Sequence, residues 1–499
     1  MAYLNPEFKI TILPFNSSEG QEYDLPQDMV GNITSSRLLQ GNSITMSIPN
    51  GLRNISGLKK FKQVFTDQCI VRLYVRKNPS EAYRQLNVGY MNGLSVNLDA
   101  MGKLNWSITF PGLEQKLQKQ ELFIDMAKED SESQALNGSK NASSFSGAFR
   151  DIAKALSGST GMKKLLVGIW DNVLVDLVGK FGQGADQSFK YGGFELLQKW
   201  NNDQENSGAL ISPFFAEGFT QNSSTKFNIL SQNQIGSSPK FWEVLTSLAT
   251  QPLYECFLDT LDTSEKRVSN GLTITDSILN DFTNQNYTVA SAGVTSLVFR
   301  KTPFDYLFDL QGEWNTDKDF QEIKHISNFS FTENPDDIYS GCHVGTTEPD
   351  LAGEGSALLF PVKWSSALKK RYGYRVMQVK VDGLSFALEE TVTTLKRVEI
   401  KDALKAIQNK LFTIFFPVDN NFVRSRRTYL KNVTANVNCA FDYYRIGTAL
   451  DMGEHELIDF YGRYGYVTGV TDSFNPMGQA STSLQLKWID NKEDLLPKF

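Results

Sequence analysis

The stretch Asp472–Trp488 reads DSFNPMGQASTSLQLKW, and Val96–Phe110 reads VNLDAMGKLNWSITF. Both show a strand, a four-residue turn and a returning strand. The turns are Asp99-Ala100-Met101-Gly102 and Asn475-Pro476-Met477-Gly478. Asp or Asn first, Pro second and Gly fourth are type I preferences. After the first turn Leu104, Trp106, Ile108 and Phe110 alternate with Asn105, Ser107 and Thr109. After the second, Leu484, Leu486 and Trp488 alternate with Ser483, Gln485 and Lys487. Period-two alternation marks a half-buried antiparallel strand. Any β-rich chain contains such hairpins, so one at each end raises the question of a duplicated β-domain.

The intervening chain bears on that question. Residues 8 to 112 carry KITILPF, SITMSIPN, CIVRLYVRK and NVGYMNGLSVNL, short strands with turns between them, as in a barrel or sandwich. The polar run KEDSESQALNGSKNASS at 128–144 reads as a linker. Two helical patterns follow, one on Phe145, Phe149, Ile152 and Leu156, the other on Leu166, Ile169, Trp170, Val173, Leu174 and Leu177. The second suits a buried helix face better than a membrane surface, because Asp171 and Asp176 flank it. A helix with Trp242, Leu245 and Leu248 on one face, the strand PLYECFLDTL, another helix and SLVFRKTPF suggest an α+β segment. From Gly355 β-patterns return, interrupted by a helix on Leu404, Ile407 and Leu411. The hairpins thus sit near the ends of two β-rich regions, which favours duplication.

Bulk properties narrow the function. At 499 residues the chain needs two to four domains. A net charge of -6 and a pI of 5.4 argue against a general nucleic-acid binder. Cys69, Cys256, Cys342 and Cys439 form no CxxC pair, so a zinc ribbon or disulfide framework is disfavoured and reduced, buried thiols are expected. The N-terminal MAYLNPEFKITILPF is not a signal peptide, and the apolar runs are too short to span a bilayer.

Catalytic signatures are few. No GxSxG elbow, Walker A loop or HExxH helix occurs. The GQG at 182–184 lacks a third Gly, and NTDKDF at 315–320 lacks the Gly and Glu of a calcium loop. His343 beside Cys342 has no local partners. Glu255 and Asp259 share a strand face and could be a hydrolase acid and base. They read better as an exposed or ion-paired face, with Arg300 on a neighbouring strand as a partner. LKKRYGYR at 368–375 interleaves cations and aromatics, and VRSRR lies at 423–427. In an acidic chain each reads as a solvated strand or a contact with an acidic partner.

Four regions resemble the central baseplate hub proteins of contractile phage tails, and the equivalent hub part of type VI secretion spikes and related contractile injection systems. They are SSRLLQGNSITMSIPN through KLNWSITFPG, with Gly89 after the third main strand; SSPKFWEVLTSLATQPLYECFLD with LVFRKTPF; GRYGYVTGVTDSF; and NPMGQASTSLQLKW. The resemblance covers about half the chain and rests on residue types, not strict motifs. It implies a mainly β fold with an α+β middle: a first tail-tube-like antiparallel β-barrel at 1–127, a helical and loop insertion at 128–225, an α+β domain at 226–350, and a second tube-like barrel with a helical insertion at 351–499. Trp242, Glu255, Asp259, Arg300, Pro303 and Phe304 would be structural positions of the middle domain. Hubs of this kind are trimers whose six barrels ring a channel, joining a six-fold tail tube to a three-fold central spike. Asn105, Ser107, Thr109, Ser483, Gln485 and Lys487 would line the channel or a subunit seam. The implied partners are two further copies, the tail tube protein, a spike protein, other baseplate or tail proteins, and DNA sliding through without specific recognition. The implied place is the virion tail baseplate, assembled in the host cytoplasm without membrane insertion. No cofactor, metal or catalytic residue is implied. The alternatives are a tail-associated cell-wall hydrolase using Glu255 and Asp259, and a receptor- or glycan-binding tail protein.

Overall fold

A computed structural model describes residues 6–13, 23–25, 30–48, 65, 69–92, 95–98, 104–119, 227–228, 240, 242–243, 246, 251–252, 254–261, 296–302, 304–308, 314, 320–333, 338–345, 361–380, 385–386, 394–416 and 433–490. The insertion expected at 128–225, the basic run at 423–427, the 182–184 and 315–319 segments and Pro303 lie outside these residues.

The first part contributes β1 (Glu7–Leu13), β2 (Tyr23–Asp24), β3 (Ile33–Leu38), β4 (Gly41–Ile48), β5 (Ile70–Arg76), β6 (Arg84–Tyr90), β7 (Ser95–Leu98) and β8 (Leu104–Pro111), then a helix at Glu114–Lys119. The middle contributes β9 (Phe227–Asn228), β10 (Tyr254–Asp259), β11 (Ser296–Lys301), a short helix at Phe304–Leu307, β12 (Gln321–Glu322) and β13 (Asn328–Glu333). Next come β14 (Gly341–Gly345), β15 (Lys363–Trp364), a helix at Ser366–Tyr372, β16 (Val376–Lys380), β17 (Ser385–Phe386) and a long helix at Thr394–Phe415. The chain closes with β18 (Val433–Ala440), β19 (Ala449–Asp451), a helix at Glu456–Tyr461, β20 (Tyr464–Phe474) and β21 (Ala480–Asp490).

One sheet runs β13-β18-β21-β20-β3-β4-β8-β7, so strands from both ends of the chain are hydrogen-bonded side by side. Both expected strand pairs form, β7 with β8 and β20 with β21; the turn expected at 99–102 lies outside the described residues. In the second turn Gly478 N–H donates to Asn475 O, and the Asn475 carboxamide accepts from Met477 and Gln479 N–H. Gly478 has φ 81°, which closes this hairpin and which Gly adopts at no steric cost.

The expected alternation is what builds the interior. Ile33, Ile44, Met46, Ile108 and Phe110 pack with Ile10, Ile12, Val71, Leu73 and Leu86 beneath the first half of the sheet. Val433, Ala435, Val437, Val467, Val470, Leu484 and Leu486 form a second core beneath the other half. A separate sheet, β2-β1-β5-β6, covers the first core. Gly89 lies within β6, where a Cβ would sit 2.8 Å from the Phe110 carbonyl oxygen, so its absence permits close approach of the two sheets. The ladders among the described residues make a mainly β, largely antiparallel structure of facing sheets, not the closed barrels that were expected.

Glu114 follows β8 and is almost fully buried. Its Oε1 accepts the Asn42 backbone N–H at the start of β4, and its Oε2 is buried without a hydrogen-bond partner. Burial pushes this carboxyl up to about 7, against which the Asn42 hydrogen bond acts. The folded state therefore holds a proton that the unfolded chain releases. Its contribution is fully present below about pH 4.5 and is lost as pH rises through about 7. Relative to Glu114→Gln, the wild type is expected to lose about 3 kcal/mol of stability between pH 4.5 and 7.5. Urea unfolding of both proteins at the two pH values checks this; parallel behaviour would refute it.

Candidate functional face

The sheet presents two contrasting faces. One carries the apolar cores; the other is hydroxyl and carboxamide. Cross-strand register makes the second face continuous. Asn328 pairs Asn438, which pairs Ser483, Thr471, Ser36 and Ser43 in turn. A second row runs Ser481, Ser473, Thr34, Thr45 and Thr109. Ser47 pairs Ser107, which pairs Ser95. Exposed or half-buried residues alternate with buried ones along β3, β4, β18 and β21. Neighbouring hydroxyls meet across strands, Thr45 with Thr109 at 3.2 Å and Ser36 with Thr471 at 3.4 Å. These rows contain no Asp, Glu, Lys or Arg.

Five of the six expected face residues lie in these rows or beside them. Ser107, Thr109 and Gln485 are exposed and Ser483 is half-buried. Asn105 occupies the strand position opposite Asn97. Lys487 stands apart at the end of β21. Its ammonium lies 4.5 Å from the Trp488 ring centroid and 5.9 Å from that of Tyr466. Burial lowers its proton affinity, which nearby Glu255 partly restores. The irregular register between β20 and β21 at Tyr464–Gly469 accompanies this departure.

The sheet order is itself a repeat. The path β13-β18-β21-β20 is followed by β3-β4-β8-β7. In each quartet two strands pair, and a hairpin follows with its second strand innermost. Aligning the two sequences at Met101-Gly102 and Met477-Gly478 places Ser107 on Ser483, Ser95 on Thr471 and Asn97 on Ser473. The pairings Ser95 with Ser107 and Thr471 with Ser483 then coincide. Likewise Ser47 with Ser107 matches Asn438 with Ser483, and Thr34 with Thr45 matches Ser330 with Asn436. The two quartets meet at the β20–β3 seam, where Thr471 pairs Ser36 and Ser473 pairs Thr34. Among the described residues, β13 and β7 end the path. The strand β13 was not anticipated; its polar positions Asn328, Ser330 and Thr332 carry the alternation that could have revealed it.

Trp242 and Phe304 are buried. Arg300 pairs Glu255 in the β10–β11 register, as expected of neighbouring strands. Of the exposed or ion-paired face expected for the two carboxylates, the exposed alternative is corrected: Glu255 and Asp259 are only 6% and 4% exposed. Glu255 accepts from the Tyr466 hydroxyl, and Asp259 pairs with Arg445 at 2.5 Å. Four residues along one strand place their Cα atoms about 13 Å apart, and the two carboxyl groups are engaged by different partners. Paired glycosidase carboxyls stand about 5–9.5 Å apart, so the geometry does not suit a hydrolase pair. Instead the end of β10 joins the two halves: Gln85 donates to Thr260 O, Asn42 to Leu258 O and Arg445 to Leu261 O.

The four cysteines are buried and none forms a disulfide. Burial pushes the Cys342 and Cys439 thiols up to about 12 and Cys256 further, which favours the thiol over the nucleophilic thiolate. No three His, Cys, Asp or Glu side chains among the described residues could hold a metal. No helix among them is long and apolar enough to cross a membrane.

No protein-family model matches the sequence, and no curated protein matches it significantly. Solved structures do resemble the chain. The tail protein from Neisseria meningitidis MC58 is 9% identical, with 96% of each chain covered and a TM-score of 0.41. The 43 kDa tail protein of prophage MuSo2 from Shewanella oneidensis is 9% identical, covering 96% of this chain and 97% of that one, with a TM-score of 0.42. The Escherichia coli c3393 protein, a component of the type VI secretion system, is 6% identical, covering 99% of this chain and 80% of that one, with a TM-score of 0.33. At these scores no residue role is carried across.

Proposed function

We propose that this protein is a ring-building hub of a phage tail or contractile injection machine, a trimeric adaptor between a six-fold tube and a three-fold spike. The observation that carries the proposal is the tandem sheet order. Two equivalent quartets lie side by side within one chain, and each outer edge is the counterpart of a strand at the internal seam. Strand β7 corresponds to β20, and β13 to β3. Antiparallel alternation is preserved if β7 of one copy meets β13 of the next. A contact between unlike edges closes only as a ring or continues as a filament, and it removes the unpaired edges that sheets otherwise leave open.

Three copies would then supply six quartets, so three-fold symmetry imitates six-fold. Twenty-four strands at about 4.8 Å give a circumference of about 115 Å and a backbone diameter of about 37 Å before any tilt. The hydroxyl and carboxamide face would line this channel. A wall without cations gives a polyanion nothing to adhere to, since nucleic-acid affinity is dominated by neutralised phosphates. DNA or protein cargo would pass without recognition, and the work of the chain would be mechanical. Residues 1–127 and 351–499 would carry the two ring-building units, 226–350 the connecting domain that also lends β13, and 128–225 an insertion. The tube, spike and other tail proteins would be the partners.

Two measurements test the proposal. Light scattering over a concentration series is expected to give three times the chain mass of 56.0 kDa. The internal seam predicts the register between copies: Ser95 opposite Thr332 and Asn97 opposite Ser330. Opposed residues on antiparallel strands lie within disulfide reach. Oxidised Ser95→Cys/Thr332→Cys protein is expected to run as cross-linked trimer on a non-reducing gel, and each single variant as monomer. A strict monomer without cross-links would overturn the proposal.

A further inference from the structure

A second surface lies on the separate sheet β15-β14-β16 and the helix Ser366–Tyr372. Between Glu354 and Asp382 the sequence has no acidic residue and six cations: Lys363, Lys369, Lys370, Arg371, Arg375 and Lys380. The rest of the chain therefore carries -12, the total of -6 less this segment's +6. Basic residues in a last helical turn favour the helix dipole, which accounts for Lys369, Lys370 and Arg371 as local stabilisers. It does not account for the aromatic residues among them.

Tyr374 is 73% exposed although its backbone is tightly held. Gly373 N–H donates to Lys369 O at 2.9 Å. The buried Ser340 hydroxyl accepts Arg375 N–H at 2.9 Å and donates to Gly373 O at 2.6 Å. Ser340 N–H donates to Arg375 O at 2.7 Å. The tyrosine is thus presented by a clamped loop. Lys369 Nζ sits 4.3 Å from the Tyr374 ring centroid and 5.3 Å from that of Trp364, and the two rings meet edge to face at 5.1 Å. Tyr339, also exposed, immediately precedes the clamping serine. A preorganised aromatic and cationic cluster is the composition of a protein-binding hot spot, where Tyr, Trp and Arg are enriched.

We propose that this cluster docks an acidic segment of a partner protein. Carboxylates match the guanidinium and ammonium groups and the tyrosine hydroxyl, and charge complementarity sets the partner's sign. A single-stranded nucleic acid is less favoured. Base stacking needs open ring faces; Lys369 takes one side of the Tyr374 ring and lies over Trp364, and the two rings meet edge to face instead of lying parallel as a stacking platform.

The test uses the full chain and two fluorescein-labelled probes at physiological salt, a Glu/Leu-rich peptide and a mixed-sequence single-stranded oligonucleotide of equal charge. Fluorescence anisotropy is expected to show the peptide binding more tightly. Tyr374→Ala is expected to weaken the peptide about tenfold, and Lys370→Glu/Arg371→Glu at least as much. Lys119→Glu, exposed on a different helix, is expected to change nothing. Failure of the peptide to bind, or peptide binding that survives both patch variants, would overturn the proposal. Tighter binding of the oligonucleotide would also overturn it and assign the patch to nucleic acid.

Discussion

Asp472→Ala is expected to lower the unfolding free energy by about 3–5 kcal/mol, the usual result of removing one member of a buried ion pair. Asp472 lies in β20 at the seam between the quartets. Its Oδ2 meets Arg37 Nη2 at 2.8 Å, and its Oδ1 accepts the Thr482 hydroxyl at 2.7 Å. Both charged side chains are enclosed, Arg37 at 2% exposure and Asp472 at none. Burial pushes the Asp472 carboxyl above its ordinary value, while Arg37 and Thr482 pull it down. Truncation would strand the guanidinium in the core. The pair itself need not be strongly favourable, because desolvation offsets much of its attraction. Arg37→Met/Asp472→Leu is therefore expected to recover most of the loss. Urea midpoints of the three proteins check this. A single variant within about 1 kcal/mol of wild type would show that the site rehydrates easily.

Trp488→Ala is expected to have a similar effect, about 3–5 kcal/mol, through a cavity. Besides its paired strand β20, Trp488 gathers elements that share no strand pairing with β21. Its ring lies 4.7 Å from Tyr466, 5.3 Å from Phe304 and 6.1 Å from Phe415, and its carbonyl accepts the Trp314 indole N–H at 3.1 Å. It also has φ 57°, a conformation unfavourable for a bulky residue. The surrounding packing holds it there. Ala would keep the strain and lose the packing, whereas Trp488→Phe is expected to keep most of both. Limited proteolysis adds a local readout: accelerated cleavage near Phe304–Phe320 in the Ala variant. Unchanged cleavage and stability would mean that the aromatic cluster is not what holds these elements to the sheet.

Much of this was legible in residue order because period-two alternation survives in strands with one wet face. Ile44, Met46, Ile108, Phe110, Leu484 and Leu486 announce their burial, and Asn475 with Gly478 announces its turn. The strand β13 and the burial of the β10 carboxylates were harder to read, for opposite reasons. Phe329 and Phe331 are only partly buried at a sheet edge, so β13 resembles a loop with aromatics. Glu255 and Asp259 look solvent-facing because their partners, Tyr466 and Arg445, lie about two hundred residues downstream. The uncharged face was only half visible: serines and threonines at alternate positions say which side is wet. That their rows align across as many as six strands is a matter of register, which no single segment contains. The equivalence of the quartets was blurred where it matters most, since Asp472, Thr482 and Arg37 correspond to Val96, Trp106 and Glu333.

That last difference has a mechanical consequence. In a closed assembly the joints would alternate between two kinds. Three would be fastened from within by a buried charge and reinforced by chain connectivity; three would lack that fastening at the corresponding positions. Load applied along the axis would then concentrate at every second joint. Such a body yields along three lines, as a perforated sheet tears, and its fragments are whole chains with their internal seam intact.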